Sequence, residues 1–159
     1  MTFSDDNKKF MNAALKEAEK AFFNKEIPVG AVIVFQNKII AKAFNQVELL
    51  HDPTAHAEMI AITSASNYLS SKLLNECDIY ITAEPCSMCA GAILLARIKN
   101  VYFGTLEPKF GAAGSIFNIL TANKYNHKPN VYSGLLENES KSLMKSFFVN
   151  KRNLNSTLN

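Results

Sequence analysis

Three side chains of this sequence have the types and spacing to grip one metal ion, and a fourth stands close enough to move protons beside it. Pro85-Cys86-Ser87-Met88-Cys89 places two cysteines three positions apart at the start of an Ala- and Leu-rich segment. At a helix N-terminus such a pair aims both sulfurs at one spot, and the exposed N–H groups and helix dipole there favour thiolates. Two thiolates can anchor zinc. A catalytic zinc takes a third protein ligand and leaves its fourth position to water. Of the histidines His51, His56 and His127, His56 opens another helix-like segment two residues before Glu58 and is the candidate third ligand.

Each half of this pattern has a plainer reading. Cys-x-x-Cys alone also fits a redox dithiol or half of a structural zinc site, and His-x-Glu alone carries no message. A structural site would want a fourth Cys or His at similar spacing. The remaining cysteine, Cys77, stands at the start of a strand-like segment and reads as a buried apolar thiol. A thioredoxin-like dithiol leaves His56-Ala57-Glu58 unexplained. His-x-Glu followed by Pro-Cys-x-x-Cys resembles the zinc deaminases, whose signature it is. That resemblance implies one Zn2+ per subunit on His56, Cys86 and Cys89, with Glu58 as the catalytic proton carrier. Zinc lowers the pKa of a bound water toward ~7. The resulting hydroxide attacks the carbon bearing an exocyclic amine. Glu58 takes the water's proton, passes one to the ring nitrogen and protonates the departing ammonia.

Two helix starts must converge for these groups to meet, and the periodicities supply them. Residues 5–24 read as a helix capped by Ser4 or Asp5, with Phe10, Ala14, Ala18 and Ala21 at helical spacing. Residues 29–35 and 39–44 read as a hairpin turning at Gln36-Asn37-Lys38. A helix is expected from Thr54 to about Tyr68, a strand at 78–82, and a second helix from Cys86 to Ile98. Strands at 101–103 and 131–132 and a closing helix over 139–151 complete the order, with Leu143, Met144, Phe147 and Phe148 on that helix's inner side. Strands alternating with helices after a hairpin predict an α/β fold: a three-layer α/β/α sandwich, a mixed five-stranded sheet with helices on both faces. Ligand sites in such sheets lie at the carboxyl edge of the strands.

The 159 residues suit one domain, expected over 1–152 with a disordered tail at 153–159. Nearly half the residues (48%) are hydrophobic, enough to build a core. No apolar run is long enough to span a bilayer, and the polar, acidic start lacks a secretory pattern, so a cytoplasmic protein is expected. An odd cysteine count without an export signal argues against a disulfide framework. The net charge of +3 permits a nucleic-acid partner without establishing one. Lys141, Lys145, Lys151 and Arg152 read first as a solvated helix face.

Over roughly residues 8–152 the chain resembles the bacterial tRNA adenosine deaminases. The stretches that carry the likeness are Pro28-Val-Gly-Ala-Val32, Asn45, Asp52-Pro-Thr-Ala-His-Ala-Glu-Met59, Glu84-Pro-Cys-Ser-Met-Cys-Ala-Gly-Ala-Ile93, Ala96-Arg-Ile98, Val101-Tyr-Phe-Gly104, Pro108-Lys-Phe-Gly-Ala-Ala-Gly-Ser115 and Asn126-His127. The resemblance implies a cytidine deaminase-like fold and hydrolytic conversion of adenosine to inosine at the wobble position of tRNA, by attack of the zinc-activated hydroxide on adenine C6. It assigns Asn45, Ala57, Pro85 and Asn126 to nucleoside binding. It also implies a homodimer contacting the tRNA anticodon loop, with Leu94, Leu95 and the 108–115 loop near the interface. Arg97, Lys109, Lys151 and Arg152 become candidates for phosphate contact, and Phe147 and Phe148 for packing near the anticodon loop. The sequence departs from that family's pattern at Ala83, at Glu107 and in Gln46-Val-Glu-Leu-Leu50, which lacks a basic residue. A free-base deaminase such as a guanine deaminase, or a non-catalytic zinc- or RNA-binding module, is the competing expectation.

Overall fold

The computed structural model describes residues 1–158. Helix α1 (Asp5–Phe23) begins at Ser4, whose hydroxyl accepts from the Asn7 N–H while the Asn7 side chain answers to the Ser4 backbone. Strands β1 (Gly30–Phe35) and β2 (Lys38–Phe44) form the hairpin, with Gln36 and Asn37 both at positive φ as a tight two-residue turn requires. A four-residue helix, α2 (Val47–Leu50), leads to α3 (Ala57–Leu69). Then follow β3 (Cys77–Ala83), α4 (Ser87–Ala96), β4 (Asn100–Thr105), β5 (Asn130–Ser133) and α5 (Glu137–Ser156).

The five strands lie in the order β2-β1-β3-β4-β5. The β1 strand is antiparallel to both its neighbours, whereas β3, β4 and β5 run parallel. Side-chain alternation divides the two faces. Ala31, Ile33, Ile79, Ile81, Val101 and Phe103 join α3 and α4 in one core. Val32, Val34 and Tyr80 face the other way, against Phe10, Met11 and Ala14 of α1. Full burial of each large aliphatic side chain there contributes roughly 1.5–3 kcal/mol. On the α1 side, Tyr80, Tyr102 and Tyr132 stack across three strands with ring centroids 4.5 and 4.7 Å apart. Gly30 lets α1 lie directly on β1, since a Cβ there would meet the backbone of Ala14 and Ala18. Helices cover both faces of a mixed five-stranded sheet, the three-layer sandwich expected.

This topology sets the convergence. Because β2 and β3 both run antiparallel to β1, they end at the same edge of the sheet, and parallel β4 ends there too. The chain leaving β2 enters α3, that leaving β3 enters α4, and that leaving β4 forms the long 106–129 connection. Two boundaries differ from expectation by three residues or more. Helix α3 starts at Ala57 and not at Thr54, because the Asp52 carboxylate accepts from both the N–H (2.8 Å) and the hydroxyl (2.7 Å) of Thr54 and closes a turn. Helix α5 continues to Ser156, past the position where the tail was expected to begin, while residue 159 lies outside the described residues.

Candidate active site

His56 is the N-cap of α3 and Cys86 the N-cap of α4, both in extended conformation. Neither side chain caps its own helix, so imidazole and thiol face one another. His56 Nδ1 lies 3.6 Å from Cys86 Sγ and 3.6 Å from Cys89 Sγ, and the three donor atoms lie within 4.8 Å of one another. A tetrahedral ion with Zn–S of about 2.3 Å and Zn–N of about 2.0–2.1 Å sets N and S about 3.6 Å apart. The donor set therefore fits zinc in both chemistry and size. Cys77 is fully buried, burial pushes its thiol up to about 11, and it stands outside the cluster.

The electrostatics suit a cation. Cys86 is pulled down to about 4, first by the hydrogen bond from the Cys89 thiol, against burial, and then by His56. Cys89 is pushed up, because donating to Cys86 and burial both favour the thiol. His56 is raised, chiefly by its hydrogen bond with Cys86. A divalent cation between the sulfurs takes the place of the proton they share. Glu58, in the first turn of α3 and 4% exposed, is pushed up to about 7 by burial. A carboxyl poised near neutrality can both take and return a proton.

His56, Glu58 and Cys86 line a pocket of about 470 Å³, within the ~300–1,000 Å³ range of small-molecule sites. Asn45 lines it as well, and α5 contributes Met144, Phe147 and Lys151. Asn45 is almost fully buried, and its Oδ1 accepts from the Ala57 N–H at 2.8 Å, which leaves its NH₂ as the free half of the amide. Ala57 is fully buried beneath it. Pro85 is buried and its carbonyl accepts from the Ala112 N–H at 2.8 Å. Asn126 is exposed in the connection before β5 and is not among the residues lining this pocket. Its neighbour His127 anchors that segment through Nε2 to the Ile98 carbonyl at 2.7 Å.

Comparison with known proteins extends the likeness beyond the ligands. A family model of the cytidine and deoxycytidylate deaminase zinc-binding region matches residues 4–105. The tRNA-specific adenosine deaminase of Aquifex aeolicus is 47% identical over 144 residues, covering 91% of this chain and 95% of that protein. The chain belongs to the tRNA-specific adenosine deaminase family. The Bacillus subtilis tRNA-specific adenosine deaminase is 42% identical over 139 residues, covering 87% of this chain and 86% of its own. A solved structure from studies of A-to-I editing by tRNA:A34 deaminases superposes with a TM-score of 0.82 at 43% identity, covering 85% of this chain and 98% of that one. The guanine deaminase of Bacillus subtilis is 42% identical, but with a TM-score of 0.58 and over only 62% of this chain and 63% of its own.

Two acidic residues of this tRNA-adenosine-deaminase family member escape the sequence reading. Glu26, 1% exposed, accepts from the N–H groups of Glu48 (3.1 Å) and Leu49 (2.7 Å) and so holds α2 at the pocket. Glu84, 3% exposed, holds the 107–115 loop in a similar way. The available signal was a carboxylate within two residues of a proline that opens or closes a strand segment, in Glu26-Ile27-Pro28 and Glu84-Pro85. Of the candidate phosphate-binding cations, Lys109, Lys151 and Arg152 share a groove with Phe148. Arg97 stands elsewhere, as the C-cap of α4 with φ 57°. Phe147 is buried against Phe22 and Phe148, whereas Phe148 is 41% exposed.

Proposed function

We infer that the protein hydrolyses adenosine to inosine at the wobble position of tRNA, releasing ammonia. The observation that carries the deaminase reading is one imidazole nitrogen 3.6 Å from each of two sulfurs, in a pocket shared with a buried carboxyl. The RNA substrate rests on likeness to the tRNA-specific adenosine deaminases along nearly the whole chain. Zinc held by His56, Cys86 and Cys89 supplies a bound water of pKa near ~7. As the water's oxygen adds to adenine C6, Glu58 takes its proton and delivers it to N1. Glu58 then moves the second proton from the new C6 hydroxyl to the 6-amino group, which leaves as ammonia while N1 keeps its hydrogen. Burial of Glu58 keeps bulk water from competing for those protons.

Likeness to the tRNA-specific adenosine deaminases assigns Asn45, Ala57, Pro85 and Asn126 to nucleoside contact, and of the four Asn45 lines the pocket. The Asn45 NH₂ faces the pocket as a donor because its oxygen is taken by Ala57. Splayed bases of an anticodon loop make extrusion of the target cheaper than from a duplex. Residues 1–152 act as one catalytic unit, and the protein works in the cytoplasm, where tRNA is found. No helix among the described residues is long and apolar enough to cross a membrane. The functional form is a homodimer, a reading supported by exposed apolar side chains on and after α4, with Leu95 81% and Phe117 61% exposed.

The match to a guanine deaminase over part of the chain favours free guanine as the second reading. The two separate on incubation with an anticodon stem-loop carrying wobble adenosine, and in parallel with free guanine, cytosine and adenosine. Inosine in the stem-loop is expected. Ammonia from guanine alone would overturn the assignment.

A further inference from the structure

We propose that Glu84 is a positioning residue for the RNA reaction: its carboxylate clamps the 107–115 loop into the shape that presents Phe110 and Lys109 to the substrate. The proposal rests on the RNA-deaminase reading above. The carboxylate takes four hydrogen bonds from that loop. Oε1 accepts from the N–H groups of Ala113 and Ser115, both at 2.9 Å, and Oε2 from the Glu107 N–H at 2.9 Å and from the Ser115 hydroxyl. Among the described residues no Lys or Arg forms an ion pair with it. A buried carboxylate without a cation depends on hydrogen bonds to stay charged, so the loop's shape and the charge of Glu84 sustain each other.

The backbone on either side is tied to the same loop. Glu84 N–H donates to the Thr105 carbonyl at 2.8 Å, Ala112 N–H donates to the Pro85 carbonyl at 2.8 Å, and Cys86 bridges to Gly111. Gly111 lies against the Glu84 carboxylate with no room for a Cβ. The clamped loop places Glu107 and Phe110 in the pocket wall and Lys109 in the adjoining groove with Lys151 and Arg152. Phe110 lines the pocket and is 71% exposed, available to a neighbouring base. Glu84 therefore links the RNA-facing wall to the segment that carries a metal ligand.

Glutamine at 84 keeps the size but turns one acceptor into a donor, which then opposes loop donors. The test compares wild type, Glu84→Gln, Gly111→Ala and the double variant, all zinc-loaded, on an anticodon stem-loop with wobble adenosine. Expected for each single variant are unchanged zinc content, KM raised about tenfold and kcat within about twofold. The double variant is expected to be no worse than the worse single one, because both release the same loop. Backbone amides of Glu107, Ala113 and Ser115 lose hydrogen-exchange protection, and that of Ala57 does not. Gly111→Ala approaches the contact from the loop side and serves if Glu84→Gln does not fold. Loss of zinc, a fall in kcat at unchanged KM, or unaltered exchange at the loop amides would each overturn the proposal. Wild type making no inosine in the stem-loop would instead refute the substrate reading, and amide exchange would still decide whether Glu84 holds the loop.

Discussion

Replacing Asn45 in two ways separates what its side chain does for the fold from what it does for the substrate. Its Oδ1 accepts from the Ala57 N–H at 2.8 Å, and the two residues are 7% and 0% exposed. Asn45→Ala leaves that N–H buried without a partner, at a cost of about 1–3 kcal/mol. For a chain of this size each kcal/mol lowers Tm by roughly 2–4 °C, so a loss of ~2 kcal/mol lowers it by ~4–8 °C. Asn45→Asp keeps an acceptor for Ala57 in the first turn of α3, where negative charge is favourable, so its stability stays within ~1 kcal/mol of wild type. It lacks the NH₂ that faces the pocket, and kcat/KM for the stem-loop falls about 10- to 100-fold, equivalent to ~1.4–2.7 kcal/mol. Urea denaturation and stem-loop deamination kinetics read the two effects. If Asn45→Asp is destabilised as much as Asn45→Ala, the acceptor is not what holds Ala57. If it deaminates normally, the free NH₂ has no part in binding.

Other consequences follow from the same geometry. Glu58→Gln retains one zinc per chain by metal analysis and loses about 10²–10⁴-fold or more in kcat, since the amide cannot carry protons; near-normal turnover would remove Glu58 from its role. Gly30→Ala forces a methyl into the backbone of α1, and its unfolding free energy from urea denaturation falls by about 1–3 kcal/mol or more, without a change in zinc ligation. Cys86→Ser weakens zinc binding in a competition titration with a chromophoric chelator, and turnover falls with metal content; full zinc retention would exclude Cys86 as a ligand. Acidification releases zinc from wild type, because His56, Cys86 and Cys89 must shed protons to bind it.

The legible part of this structure was local. The apolar run Gly30–Phe35 and the segment Lys38–Phe44, with Gln36-Asn37 between them, define the hairpin, and the Pro85-Cys86 step announces α4. The ligand set was legible because its two halves each mark a helix start, and the topology brings both starts to one edge. What escaped was built by contacts distant in sequence. Helix α2 is four residues long, too short for periodicity, and is held by Glu26 from 22 and 23 positions away. The role of Glu84 depends on donors 23–31 residues downstream. Helical spacing alone does not say which of Phe147 and Phe148 is covered; α1 decides it by presenting Phe22 to Phe147. The end of α5 differs from expectation because the Asn-rich run 153–159 reads as a tail, although nothing in residues 153–156 breaks a helix.

Zinc K-edge X-ray absorption on the purified, zinc-loaded protein addresses the central claim directly. One nitrogen at about 2.0–2.1 Å, two sulfurs at about 2.3 Å and one light oxygen-type scatterer are predicted, the last being the water that Glu58 deprotonates. A shell completed by a third sulfur, or one with no histidine signature, would contradict the account.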